Sequence, residues 1–215
     1  MIPHANSLGR WRDEPCFIFG GGPSLTQADV SVAKGVGRAI AVNNAWEWAP
    51  WADILFFADR RWWEWNGLRL EAFPGRILTR ARLVERDPGP HSRVEYVQRV
   101  MPPVYLSRRP GAVAGWCGGA CAINLAWLLG CSPIILLGFD GGAGNWHDAH
   151  RFTNPTGHLD KHSRPALQEM ARELRTEGAV VINASRVTDL RCFPRRNFDE
   201  IARQLQRQAL ASVAK

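Results

Sequence analysis

Three glycines, Gly20-Gly21-Gly22, follow the apolar run Cys16–Phe19 and lead into Pro23-Ser24-Leu25. A buried strand that breaks into a glycine turn and then a helix start is the arrangement α/β proteins use to cradle a phosphate. Glycines let backbone N–H groups approach the anion, and the helix end adds partial positive charge. Gly20, Gly21, Gly22 and Ser24 are therefore expected to hold a nucleotide's phosphates. The turn is not a dinucleotide fingerprint, because Leu25 stands where a third spaced glycine belongs, and no lysine follows to make a P-loop.

Further polar residues recur at the ends of apolar runs. Asn43-Asn44 closes Ala39–Val42, Asp59 follows the run through Ala58, Asp140 follows Ile134–Leu137, and Asn183 follows Ala179–Ile182. Asn43, Asn44 and Asn183 could contact a nucleotide at this edge or merely cap turns. Asp59 and Asp140 could together hold Mg²⁺ through water, or each could cap a helix. Histidine titrates near neutrality, so His147 as a cation could stabilise a leaving phosphate. His147, Asp148 and His150 also have spacing open to a metal, although no zinc-protease motif accompanies them.

The elements that must position these residues alternate. Strands are expected at Cys16–Phe19, Ala39–Val42, Ala52–Ala58, Ile77–Thr79, Val94–Val100, Ile134–Leu137 and Ala179–Ile182. Helices are expected after Thr26 and over 60–72, Ala120–Leu129, Arg164–Glu177 and Phe198–Val213. That order predicts one α/β domain over residues 1–215. It is Rossmann-like, with a mostly parallel sheet and helices on both faces. Ligands of such sheets bind at the carboxyl ends of the strands, where all these polar residues gather. Residues 1–14 read as an irregular arm, and 80–114, rich in Pro, Gly and Arg, as an irregular insertion or lid.

Composition narrows the classes. The chain has 215 residues and 46% hydrophobic residues, enough to bury a core. It has no apolar run of membrane-spanning length, and its first residues lack a signal-peptide core, so a cytoplasmic location is expected. The five cysteines form no C-x-x-C pair and read as buried free thiols. The formal net charge is +7, and all but three of the 27 basic residues are arginine. That bias suits a phosphate-bearing partner, but the basic residues are too dispersed to mark a nucleic-acid surface. Ten tryptophans are present, grouped around Trp46–Trp51 and Trp62–Trp65. They read first as packing, and second as a stacking wall for a base or sugar.

Three stretches carry a family resemblance: the Gly20–Leu25 turn, Ala41-Val42-Asn43-Asn44, and Leu129–Asp140 with its Leu-Gly-x-x-x-Ile-x-Leu-x-Gly-x-Asp pattern. The chain resembles the MptE-like (6-hydroxymethylpterin diphosphokinase-like) superfamily and the related bacterial sialyltransferases that use CMP-sialic acid. Its Trp-His-Asp loop and its ending, Asn183-Ala184-Ser185 with Cys192-Phe193-Pro194, look like those of phage-type members.

The resemblance implies a nucleotide-binding α/β fold. It implies that Asn43 hydrogen-bonds the nucleotide, that Gly118 and Gly119 contact it, and that His158 is the general base. Gly157-His158 stands eight residues before Ala166-Leu167, as in the sialyltransferases. Trp146, His147 and Asp148 occupy the loop where those enzymes carry tyrosines, and Gly21 replaces a common asparagine.

The expected function is a nucleotide-dependent transferase, foremost a glycosyltransferase that moves a sugar from a nucleotide-sugar donor to a hydroxyl. The acceptor would be a modified DNA base or a glycan. The alternatives are an ATP- and Mg²⁺-dependent diphosphokinase acting on a hydroxymethyl heterocycle, and a non-catalytic nucleotide-binding module.

Overall fold

The computed structural model describes residues 11–81, 93–142, 144–147 and 159–213. Nine strands appear among them: β1 (Cys16–Phe19), β2 (Arg38–Val42), β3 (Ile54–Phe57), β4 (Arg76–Thr79), β5 (Val94–Tyr96), β6 (Gln98–Val100), β7 (Ala112–Ala114), β8 (Ile134–Leu137) and β9 (Val181–Asn183). The helices are α1 (Gln27–Ala33), α2 (Arg60–Asn66), α3 (Gly118–Leu128), α4 (Arg164–Thr176) and α5 (Phe198–Val213).

Seven strands form one sheet in the order β5-β4-β3-β2-β1-β8-β9, and every pairing within it is parallel. The chain winds outward from β1 to β5, then returns to lay β8 on the other side of β1. The switch point of the topology therefore lies between β1 and β8, with Gly20–Ser24 and Gly138–Asp140 at its carboxyl mouth. This is the α/β, Rossmann-like architecture expected from the alternating elements.

The continuous apolar runs are explained by two-sided burial. Along β1, Cys16 and Ile18 enter one core while Phe17 and Phe19 enter the other. The same alternation holds in β3, where Ile54 and Phe56 oppose Leu55 and Phe57. On the first face, α3 crosses β1, β2, β3 and β8, and α4 adds Leu167, Met170, Ala171 and Leu174. The second face is covered by α1 and α5 with the tryptophan-rich segments.

Helix α3 is apolar all round because it is covered on both sides. Every residue from Ala120 to Ala126 is buried, with the main sheet beneath and the small β6–β7 sheet alongside.

Three expectations differ from the structure. The stretch Val94–Val100 is two strands, not one: β5 edges the main sheet, and after buried Val97 the chain pairs β6 with β7 instead. Within 80–114, residues 93–114 contribute three short strands joined by irregular chain. Leu106, Val113 and Ala114 are core residues. Asn124, fully buried in α3, pins this stretch in place: its Oδ1 accepts from Ser107 N and Ala114 N, both at 2.8 Å, and its Nδ2 donates to Ser107 O at 3.0 Å. The segment expected as helix over 60–72 divides at Gly67, where α2 gives way to a 3₁₀ turn.

Candidate functional site

All the polar residues singled out above that fall in the described regions lie in loops at the carboxyl edge of the sheet. Their roles there differ.

The glycine turn is built for close contact with β8. Gly20 N–H donates to Leu137 O and Gly22 N–H to Gly138 O, each at 2.8 Å. A methyl group on Gly22 would lie 2.5 Å from Asp140 Cγ and 2.7 Å from Gly138 O, so no larger residue fits without displacing backbone. Asp140 is buried against the turn. Its Oδ2 accepts from Ser24 N at 2.7 Å and its Oδ1 from the Ser24 hydroxyl at 2.6 Å. A side chain on Gly21 would meet Asn145 Oδ1, and Gly21 O accepts from Trp146 N at 3.1 Å.

The N–H groups of Gly20, Gly22 and Ser24 are already spent, and the anion at the turn is the protein's own Asp140 carboxylate. Such charge-assisted bonds hold β1 and β8 together at the switch point.

Asn44 is engaged in packing contacts within the protein. It is buried, its Oδ1 accepts from Trp62 Nε1 at 2.6 Å, and its Nδ2 faces Glu47 at 3.3 Å. Asn183 ties β9 to the end of β8 by donating to Phe139 O at 3.0 Å and Thr188 Oγ1 at 2.9 Å. Asp59 caps α2, with Oδ1 accepting from Arg61 N at 2.9 Å, and also pairs with the Arg61 guanidinium.

The strand order also separates Asp59 and Asp140. Their parent strands β3 and β8 are three positions apart, about 14 Å across the sheet. Each carboxylate is engaged within the protein, Asp59 at the α2 cap and Asp140 on Ser24. Among the described residues no group of three His, Cys, Asp or Glu side chains could hold a metal ion.

Asn43 stands apart. It begins a 3₁₀ turn at the end of β2 with φ of +52°, in the left-handed region that asparagine tolerates better than most residues. Its amide oxygen is buried with no hydrogen-bond partner. Opposite it is the start of α3. A methyl group on Gly118 would lie 3.0 Å from Val42 Cγ1, with Ala58 Cβ and Asn43 Nδ2 next nearest. One on Gly119 would strike the Phe139 ring at 2.8 Å.

These two glycines thus let the head of α3 descend between the ends of β2, β3 and β8. Its capping residue, Cys117, offers no side-chain bond to the first N–H groups, and the first helical turn closes with Cys121 N–H to Cys117 O at 3.1 Å. Uncapped N–H groups and the helix dipole make this end favourable for an anion.

Two arginines that sequence reasoning missed converge beside it. Arg80, directly after β4, donates from Nη2 to Trp116 O at 3.3 Å. Arg99, in β6, places its guanidinium carbon 5.7 Å from the Trp116 ring centre. Both Nε atoms are buried without a hydrogen-bond partner. Burial, and then the charge of Arg80, pulls the Arg99 guanidinium below its ordinary value. The signal for Arg80 was its place at a strand's carboxyl end; for Arg99 there was none, because β6 was not foreseen as a separate strand.

The thiols nearby are inert. Burial pushes Cys121 up to about 12 although Arg80 draws it down, and burial also raises Cys117. All five cysteines are free.

Tryptophan 146 stacks on Trp48 at 3.7 Å, and His147 meets its edge at 4.7 Å. Phe57 packs on both Trp62 and Trp63. These aromatic faces are largely spent on each other and on the second core. The candidate base His158, with Asp148 and His150, lies outside the described residues. Among the described residues, no helix is long and apolar enough to cross a membrane.

Comparison with protein-family models, with curated proteins and with solved structures gave no match. The family resemblance thus rests on the sequence motifs alone.

Proposed function

We propose that this chain is a nucleotide-dependent transferase whose donor lies across the carboxyl ends of β2, β3 and β4, against the head of α3. One observation carries the reading. Asn43, held in a left-handed conformation, keeps a buried and unpartnered amide oxygen beside an uncapped helix start. A buried polar atom without a partner is costly in a folded protein, and a ligand that satisfies it accounts for that cost. A nucleoside edge supplies the missing donor, and the N–H groups of α3 suit the attached phosphate. This reading no longer depends on the glycine turn, whose role is to join β1 to β8.

Within that class the motifs favour glycosyl transfer from a nucleotide sugar. The acceptor oxygen bonds to the anomeric carbon as the bond from that carbon to the donor phosphate breaks. A base takes the acceptor's proton, and the phosphate leaves with the bonding pair. The sequence offers His158 as that base. A diphosphokinase would instead rely on Mg²⁺ held through water by Asp59 and Asp140, which here bond Arg61 and Ser24.

Thermal shifts with CMP, UDP, ADP, GDP and ATP, each with and without Mg²⁺, test the proposal. Stabilisation by a nucleoside diphosphate or CMP without Mg²⁺ is expected. A response to ATP alone, and only with Mg²⁺, would move the assignment to pyrophosphoryl transfer. No response to any nucleotide would end the nucleotide reading.

A further inference from the structure

The pairing of Arg80 with Arg99 has no structural account of its own. Several arginines elsewhere in the chain meet carboxylates, Arg38 with Glu14 and Asp53 and Arg108 with Glu173 and Glu177, while Arg93 and Arg175 reach backbone carbonyls. Arg80 and Arg99 instead converge from different sheets on one residue, Trp116, which in turn stacks on His162 at 4.9 Å. Among the described residues neither guanidinium meets a carboxylate, and each keeps a buried Nε–H with no acceptor. Bringing two like charges together in a half-buried site costs free energy that folding alone does not recover. Nor is the counter-charge a cysteine, since the Cys121 thiol stays protonated at neutral pH.

We infer that Arg80 and Arg99 form a clamp for a doubly charged phosphoryl or pyrophosphoryl group, seated between Trp116 and the first turn of α3. Planar guanidiniums bind phosphate oxygens through paired N–H bonds, and two of them match a dianion in charge. The head of α3 adds the same sign of field from the other side. The two arginines reach the site from separate elements, Arg80 from the end of β4 and Arg99 from β6, so the small sheet completes the site. The inference deepens the nucleotide reading, on which it rests for the identity of the group that carries the phosphates. It gives those phosphates a seat that the glycine turn does not.

Isothermal titration of the full chain with inorganic pyrophosphate, a free nucleoside, and the corresponding nucleoside diphosphate tests the clamp and separates the two possible sources of phosphate. Arg80→Gln, Arg80→Lys and Arg99→Gln are compared with the parent chain. One pyrophosphate is expected to bind the parent. Either Gln variant is expected to lose at least about tenfold in affinity, and Arg80→Lys to lose less. Melting without ligand is expected to be unchanged or higher in Arg99→Gln, because a like-charge contact is removed; a merely structural arginine would lower it.

Pyrophosphate that fails to bind the parent chain, or binds all variants equally, overturns the clamp. Undiminished nucleoside diphosphate binding in both Gln variants also overturns it, and leaves the nucleotide reading standing. If pyrophosphate binding is lost in the variants but the nucleoside adds no affinity in the parent chain, the clamp holds and the nucleotide reading falls.

Discussion

Asn43 and Asp140 look alike in sequence, each a polar residue just past an apolar strand, yet they do opposite things. The Asp140 carboxylate accepts one bond from Ser24 on each oxygen. Among the described residues the Asn43 amide oxygen is satisfied by nothing. Partnering, rather than residue type, separates a packing residue from a binding one. Replacing Asn43 with glycine makes that difference measurable, because glycine keeps the left-handed backbone and deletes only the amide. Asn43→Gly is expected to change folding stability by no more than about 1 kcal/mol and to weaken nucleotide binding by about tenfold or more. Chemical denaturation and titration calorimetry on the same preparation read both quantities. A large loss of stability with affinity unchanged would make Asn43 a structural residue.

Among the elements, the contact of the glycine turn with β8 is the tightest point of the switch region. Gly22→Ala must push Asp140 or the Gly138 carbonyl aside, so a loss of about 2–4 kcal/mol of stability is expected by urea denaturation. A neutral result would mean that the turn is looser than described. The same turn shows how far a sequence can be read. The strands β1 and β8 were legible to the residue, because four apolar residues in a row bounded by turn signals have few other uses. Helix α5 was legible over its full span, Phe198–Val213. Strand β7 was not: Ala112-Val113-Ala114 is short and alanine-rich, and it becomes a strand only because Asn124 and α3 hold it against β6. A phosphate cradle and a strand-to-strand joint need the same glycines, so Gly20-Gly21-Gly22 could not reveal which it was. The arginine clamp was hidden for a related reason. Its two members lie on strands of different sheets, and only the topology brings them to Trp116.

Taken as a whole molecule, the chain sequesters its thiols from water in the first core, and this couples its stability to alkaline pH. Burial raises Cys16 well above its ordinary value, raises Cys117, and takes Cys121 from 9.0 to about 12. An acid whose folded value is raised contributes fully below its unfolded value and loses that contribution as pH climbs toward the folded one. Stability is therefore expected to hold up to about pH 9 and to fall between there and about pH 12. Cys121 alone would account for roughly 2 kcal/mol at about pH 10.5. Urea midpoints at about pH 8 and about pH 10.5 check this, and Cys121→Ala should shrink the difference. Equal midpoints in the parent chain would show that the thiols are not sequestered as described.

The account holds that one edge of this sheet joins strands at its glycine turn and binds a nucleotide at the head of α3. Backbone amide shifts followed by nuclear magnetic resonance, as a nucleoside diphosphate is titrated in, test that division most directly. The largest shifts are predicted at Asn43, Trp116, Gly118 and Gly119, with Gly20 and Gly22 nearly still. Shifts concentrated at Gly20–Ser24, with the start of α3 unmoved, would contradict it.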